Sequence, residues 1–360
     1  MNKVSEDVVS RSNSMGVGIA GAGSVADIHA EALHQLESTK LVAVYSRNAE
    51  NAKRLASKFG AEFTTDWDEF LANPEIKLVS VCTPSGAHLE YGAPAAAAGK
   101  HVVVEKPIEV TLEKARELID TCLHYKVHLS VIFQNRFIPD VQQMKRVISE
   151  GGIGKIHLAD AYIKWFRDQE YYDTGGWRGS LALDGGGALI NQSVHTIDLL
   201  QWMVGEVEEI YGYTGTFTHE RIEGEDTGIA LLRFHNGSIG VIEGATSVFP
   251  AQERRLEIHG DQGTAVLQGN KFTLLTGKPA DQEEQKEEEG VGAASPFAGF
   301  SVEPHKNQFA DIVEAIQSGG DSSVSGEEAL KSLGIVLGIY ESSSTHKPVQ
   351  LQEFMYQKIR

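Results

Sequence analysis

Val17-Gly18-Ile19-Ala20-Gly21-Ala22-Gly23-Ser24-Val25-Ala26 is an apolar run that empties into a glycine-rich turn and continues into an alanine-rich stretch ending near Leu36. The order predicts a strand, a tight turn and a helix. Gly21 permits the turn, Gly23 lets the backbone approach a pyrophosphate, and Ala26 is small enough for helix and strand to pack closely. Around Gly23, Ser24 and Val25 the first N–H groups and the positive dipole end of the helix then face phosphate. Isolated glycine patterns are weak evidence; one set between a legible strand and a legible helix predicts a dinucleotide site.

A second test of such a site lies about 20 residues further on, at the end of the next strand. That strand reads Leu41-Val42-Ala43-Val44-Tyr45 and is followed by Ser46-Arg47-Asn48. A carboxylate there would bond the ribose hydroxyls of NAD and repel a 2′-phosphate. Ser46 and Arg47 instead offer a hydroxyl and a planar guanidinium, which favours NADP over NAD.

The first third alternates elements: helix Glu50 to Phe59, helix Asp66 to Leu71, strand Leu78 to Cys82, helix Ala87 to Ala98, strand His101 to Val104, helix Leu112 to His124 and strand His128 to Phe133. Short apolar strands separated by helices predict a parallel, doubly wound α/β sheet, here over residues 15–135. From Ile156 the pattern becomes strand-rich, with runs at Ile156 to Tyr162, Glu208 to Tyr213, Thr227 to Phe234, Ser238 to Thr246, Arg255 to His259 and Gly263 to Gln268. Asn236-Gly237 between two of them is a two-residue hairpin signal, so residues 136–360 are expected to carry a mostly antiparallel sheet. One face of that sheet needs covering, by helices or by another subunit, and an oligomer is expected. Helices return at Asn307 to Gln317 and Gly326 to Ser342.

Composition narrows the function classes. A net charge of −18 over 360 residues opposes binding to nucleic acid or to an anionic membrane. No apolar run approaches the roughly 20 residues needed to cross a bilayer. Residues 1–14 are polar and lack an apolar signal core, which predicts a flexible leader and a cytoplasmic protein. Cys82 and Cys122, both in apolar surroundings, imply buried thiols, with neither a disulfide framework nor a metal site. The acidic run Glu283 to Glu289 reads as a solvated loop.

Two constellations carry chemistry. Glu105-Lys106-Pro107 follows the strand His101 to Val104, at the carboxyl end where open α/β sheets bind ligands. A Lys106 ammonium there can hydrogen-bond a substrate oxygen and stabilise developing alkoxide charge. The second is Asp184-Gly185-Gly186-Gly187-Ala188, leading to Asn191, His195 and Asp198 on what the spacing predicts to be one helical stripe. Leu189, Val194, Ile197, Leu200 and Trp202 surround that stripe, and polar groups inside a buried helix cost stability unless they are partnered or line a site. His195 titrates near neutrality and can take a hydroxyl proton.

Together these residues resemble the Gfo/Idh/MocA family of NAD(P)-dependent oxidoreductases, the group of glucose–fructose oxidoreductase and inositol dehydrogenase. The likeness runs from Met15 nearly to the end. It rests on the glycine loop, Cys82-Thr83-Pro84 with His88, Glu105-Lys106-Pro107, the His195 helix and Gly260 to Gly263. The resemblance implies a Rossmann domain followed by an α/β domain with a large open sheet used for dimer or tetramer assembly. It implies hydride transfer between nicotinamide and a hydroxyl or keto carbon of a sugar, sugar derivative or cyclitol. Family roles fall on Lys106 and His195 as catalytic residues, with Asn191 beside them. Thr83, Pro84, His88 and Glu105 fall near the cofactor. Arg136, Trp177 and Arg178 fall around nicotinamide and substrate, and His305 falls as a further substrate contact. Inositol dehydrogenase-like members carry Asp four residues before the histidine. Asn191 cannot hold that charge, and members acting on nucleotide-linked amino sugars share the Asn, which tilts the reading towards hexose-type substrates. The same resemblance also admits an NAD-dependent glycosidase that uses transient oxidation, and a non-catalytic sensor of cofactor or sugar.

Overall fold

The computed structural model describes residues 14–276 and 301–359, so the expected leader (Ser14 apart) and the acidic run 283–289 lie outside the described residues. The chain opens as β1 Met15–Ala20, α1 Ser24–His34, β2 Thr39–Tyr45, α2 Ala49–Phe59, β3 Glu62–Thr64, α3 Trp67–Ala72, β4 Leu78–Val81, α4 His88–Ala97, β5 His101–Val104, α5 Leu112–His124 and β6 Leu129–Val131. It continues through α6 Pro139–Ser149, β7 Ile156–Lys164, the short α7 Gln169–Asp173, a π-helical turn at Ala188–Ser193 and α8 Val194–Val204. The strands β8 Val207–Gly215, β9 Thr227–Phe234, β10 Ile239–Ala245, β11 Arg255–Gly260, β12 Gly263–Gln268 and β13 Lys271–Thr276 follow. α9 Glu303–Ser318, α10 Gly326–Thr345, β14 Val349–Gln350 and α11 Leu351–Ile359 complete the described elements.

As compact units the described chain divides into residues 14–109, 114–134 and 301–329, and residues 110–113, 135–276 and 330–359. The first unit holds a six-stranded sheet in the order β3-β2-β1-β4-β5-β6, every pair parallel. The strand order reverses at β1, next to β4, and ligands of doubly wound sheets sit at that switch point, outside the carboxyl ends of the strands. α9 belongs here because Phe309 and Ile312 bury themselves beside Val17, Ile19 and Leu33 in one apolar cluster. A helix that begins 283 positions after the end of β1 thus completes the core around that strand, something local periodicity does not disclose.

The second unit is an eight-stranded sheet, β13-β12-β11-β7-β10-β9-β8-β14. It is antiparallel except at β7 and β10, which run parallel. The Asn236-Gly237 pair makes the β9–β10 turn, with Gly237 at φ 85° and the Asn236 side chain accepting from Ser238 N. Along β9 the side chains alternate, Ala230 and Leu232 buried against Ile229 and Leu231 exposed, the period-two pattern of a half-covered sheet. Strands β3, β13 and β14 and helices α6 and α11 were not expected from sequence. The three strands sit at sheet edges, where pattern is weakest. Among the described residues no helix is long and apolar enough to cross a membrane.

Candidate active site

The glycine turn forms as its residues dictate. Gly21 has φ 110°, and a Cβ there would lie 2.6 Å from the Cys82 carbonyl oxygen, so only glycine fits between β1 and β4. Gly23 is the N-cap of α1 and no side chain caps that terminus. A Cβ on Gly23 would meet nothing within 4 Å, so the loop leaves space in front of the helix. The expected helix therefore starts at Ser24, earlier than Ala26. Asp27 in its first turn would repel phosphate, but Arg54 and Lys58 both hold its carboxylate. Burial alone would raise Asp27; those two cations outweigh it and keep the group below its ordinary value. Arg54 also donates to the Ala22 carbonyl at 3.3 Å, adding positive charge beside the loop. An uncapped helix end, an open glycine and a neutralised carboxylate suit a diphosphate. Ser46 and Arg47 follow β2 directly, with Arg47 exposed.

At the carboxyl end of β4, the Thr83 hydroxyl is buried and has no hydrogen-bond partner among the described residues. Such a group costs stability unless a ligand satisfies it. His88 is fully buried, and its Nδ1 lies 3.0 Å from Pro107 O while Nε2 lies 3.3 Å from Thr83 O. Burial pushes this histidine below its ordinary value. With carbonyls at both ring nitrogens, the ring ties the β4 turn to the turn after β5.

That second turn is Glu105-Lys106-Pro107. Glu105 is 8% exposed; its Oε1 lies 2.8 Å from His29 Nε2 on α1 and its Oε2 accepts the Lys106 backbone N–H at 3.1 Å. Burial works against both charges. The hydrogen bond and charge of His29 nonetheless hold Glu105 down to about 2, while Cys82 and Glu105 beside the ring push His29 up to about 10. Both shifts favour the ionised pair, and His29 Nδ1 lies 2.8 Å from Ser80 Oγ. His305, from α9, lies in the same unit with its ring 5.7 Å from that of His29. Burial and the His29 charge push it down to about 4. His29, Glu105 and His305 bring donor atoms within 4.8 Å of one another, but the first two are already engaged with each other.

In the second unit the expected single helix is two structures. Ala188–Ser193 turns as a π-helix, with Ser193 Oγ donating to Ala188 O, and the α-helix begins at Val194. Asn191 and His195 therefore flank a junction, and the simple four-residue stripe does not hold. The turn is anchored by Glu225, buried, which accepts from Gly187 N at 3.0 Å and Leu189 N at 2.6 Å. Asn191 donates to Asp184 Oδ1 and accepts from Gln192 Nε2. His195 is half-buried, whereas Asp198 is fully buried and faces other partners. Arg136 forks onto both Asp198 oxygens at 2.7 and 2.6 Å, Ser332 donates to Oδ1, and Trp202 stacks 5.0 Å from the guanidinium. Asp198 thus leaves the expected polar stripe for an interior ion pair. Arg178 lies 4.3 Å over the Tyr171 ring and 5.9 Å from that of Trp177, and donates to the Tyr171 and Thr174 carbonyls.

Sequence reasoning did not find His29, Glu225 or Gln192. The spacing of His29 on α1 marks it only as a helix-face residue; its meaning comes from β5, 76 positions away.

The chain belongs to the Gfo/Idh/MocA oxidoreductase family. Residues 15–133 match the oxidoreductase family's NAD-binding Rossmann fold, and residues 141–266 match the Gfo/Idh/MocA C-terminal domain. The chain is similar to myo-inositol 2-dehydrogenase of Thermotoga maritima, 26% identical over 94% of this chain and 99% of that protein. It is 30% identical to D-glucoside 3-dehydrogenase of Escherichia coli over 71% of this chain and 78% of that one. Among solved structures it is similar to the WlbA dehydrogenase from Bordetella pertussis in complex with NADH and UDP-GlcNAcA. That likeness has a TM-score of 0.83 at 29% identity and covers 94% of this chain and 98% of the other.

Proposed function

We propose that this member of the Gfo/Idh/MocA oxidoreductases is an NAD(P)-dependent dehydrogenase acting on a hydroxyl of a sugar, sugar derivative or cyclitol. The observation that carries the reading is the cradle at the start of α1, where Gly21 is pressed against the Cys82 carbonyl and the helix end is left uncapped. The relatives named inositol and glucoside dehydrogenases support the substrate class.

A bound nicotinamide dinucleotide supplies the hydride acceptor. Gly21, Gly23, Ser24 and Val25 hold its diphosphate, and Ser46 with Arg47 favours NADP because no carboxylate follows β2. Thr83, with its unpartnered hydroxyl, and Pro84 face the nicotinamide half, while His88 and Glu105 shape the turns that carry that surface. Lys106 hydrogen-bonds the substrate oxygen and stabilises its negative charge. His195 takes the hydroxyl proton, and Asn191, a neutral amide held by Asp184 and Gln192, orients substrate or histidine. Trp177 and Arg178 contribute to the substrate side. Arg136 and His305, both deeply buried, are assigned support of these surfaces rather than direct contact. Tyr213, Ile229, Leu231 and Ile239 are exposed on one face of the eight-stranded sheet, which supports pairing with a second copy of the chain.

The test is a screen of neutral and charged sugars, nucleotide sugars and inositols with NAD+ and NADP+, read by the absorbance of reduced nicotinamide. Lys106→Met is expected to lower kcat by about 10²–10³-fold, with cofactor affinity nearly unchanged. Normal turnover by that variant would remove Lys106 from the reaction. Absence of hydride transfer to every substrate with either cofactor would refute the dehydrogenase reading.

A further inference from the structure

Arg167 follows β7 on a segment that extends its pairing, with Trp165 N donating to Ala245 O and Arg167 N to Thr246 O. The side chain turns inward and is only 9% exposed. Nη1 donates to Phe166 O and Nη2 to Gln192 Oε1, and the guanidinium lies 5.4 Å from each of the Trp165 and Tyr171 ring centroids. Its Nε–H is buried and has no acceptor among the described residues. No carboxylate reaches it either, since none of the ion pairs among the described residues includes Arg167 or Arg178. Arg178 stacks on the same Tyr171 ring. Two guanidiniums therefore share one aromatic ring, with neither charge paired, in a chain whose net charge is −18.

Elsewhere the same unit shows how a buried arginine is ordinarily satisfied. Arg136 has Asp198, and Arg254, buried without a carboxylate, places its Nε–H on Gly269 O. The acids of the Arg167 and Arg178 segments have other partners. Asp184 accepts from Gly179 N and Asn191, Asp168 caps Tyr171 N, and Asp173 pairs with Arg221. A desolvated guanidinium with a spare N–H is costly unless a charge-matched acceptor arrives, and its fork suits a carboxylate or phosphate. Gln192 links this group to the proposed chemistry, because it accepts from Arg167 and donates to Asn191 Oδ1 at 2.7 Å.

We propose that Arg167, with Arg178 on the same Tyr171 ring, is an anion receptor, and that the substrate is consequently an acidic sugar: a sugar carboxylate or a phosphorylated sugar. The substrate class rests on the dehydrogenase reading above; the anion receptor does not. D-glucose, D-glucuronate, D-glucose 6-phosphate and inorganic phosphate are titrated calorimetrically into the full chain, wild type, Arg167→Gln and Arg167→Lys, with reduced nicotinamide followed in parallel. At least one charged sugar is expected to bind ten-fold or more tighter than glucose, less so at high salt. Arg167→Gln should abolish that advantage, and Arg167→Lys should keep part of it as a point charge. Stronger binding of glucuronate identifies a carboxylate and of glucose 6-phosphate a phosphoryl group, and either supports the receptor. Equal binding of neutral and charged sugars, binding of none, or an advantage that survives in Arg167→Gln overturns it. If Arg167→Gln does not fold, the wild-type preference and its salt dependence decide. Charged sugars that bind without any hydride transfer leave the receptor standing and count against the dehydrogenase reading.

Discussion

Glu105 Oε1 and His29 Nε2 lie 2.8 Å apart in the interior of the first unit, and the other Glu105 oxygen holds the backbone N–H of Lys106. A buried carboxylate is thereby made into a fixed support for the residue proposed to touch substrate. The cost of burying its charge is offset by a partner on α1 that is charged for the same reason.

Removing one member of this pair leaves the other charged and unsolvated. Glu105→Gln is expected to cost about 3–5 kcal/mol of stability, measured by urea unfolding. The pH dependence follows from the two shifts. His29, raised from near 6.5 to about 10, stabilises fully below 6.5 and loses that contribution as pH climbs towards 10. Glu105, lowered from near 4.5 to about 2, stabilises fully above 4.5 and loses it as pH falls towards 2. The pair should contribute most between 4.5 and 6.5. A His29→Gln, Glu105→Gln double variant should flatten the slope on both sides; a slope unchanged from wild type would show that the pair is not ionised.

Gly21→Ala forces a Cβ to 2.6 Å from the Cys82 carbonyl at a φ of 110°. About 1–3 kcal/mol of destabilisation is expected from the backbone alone. Because β1 and β4 must part, cofactor titration by fluorescence should show lost affinity even below the melting temperature. Wild-type affinity in this variant would mean that the turn is not the cradle.

Asp198→Asn removes the carboxylate charge onto which the buried Arg136 guanidinium forks. A loss of about 3–5 kcal/mol is expected, and Arg136→Met with Asp198→Leu should recover a large part of it. Thermal melts of the three proteins separate a structural ion pair, which recovers, from a binding arginine, whose loss would instead appear as a raised KM with normal stability.

Glu225 anchors the turn that carries Asn191. Burial pushes its carboxyl up to about 7, against the hydrogen bond from Leu189 N. A raised acid stabilises fully below its ordinary value near 4.5 and loses that contribution as pH rises through about 7. Glu225→Gln keeps an acceptor but cannot ionise. It should melt close to wild type below pH 4.5, increasingly above it as pH rises to about 7, and by a constant margin beyond. A difference that does not change with pH would refute the assignment.

Most of the first unit was legible, because Rossmann-type strands are short apolar runs punctuated by helices that begin and end on recognisable residues. Asn48 and Asp66, each accepting from the first-turn backbone, cap α2 and α3 close to the expected starts. The Asn236-Gly237 hairpin and the alternation in β9 were equally local. Asp198 was misread for a physical reason. Spacing reports which face of a helix a residue occupies, not which neighbour waits there, and here the neighbour is Arg136, 62 positions earlier. The π-turn before Val194 was illegible because one extra residue per turn leaves no mark on composition.

From residue order alone came the strand–glycine–helix turn and the parallel and antiparallel halves, since backbone conformation and hydrophobic period act over a few residues. The burial of His29 against Glu105, of Arg136 against Asp198, and the unpaired guanidinium of Arg167 were decided only by the packed chain. Charge in a protein is set by what surrounds a group once water has been removed, and those surroundings are assembled from strands and helices far apart in sequence.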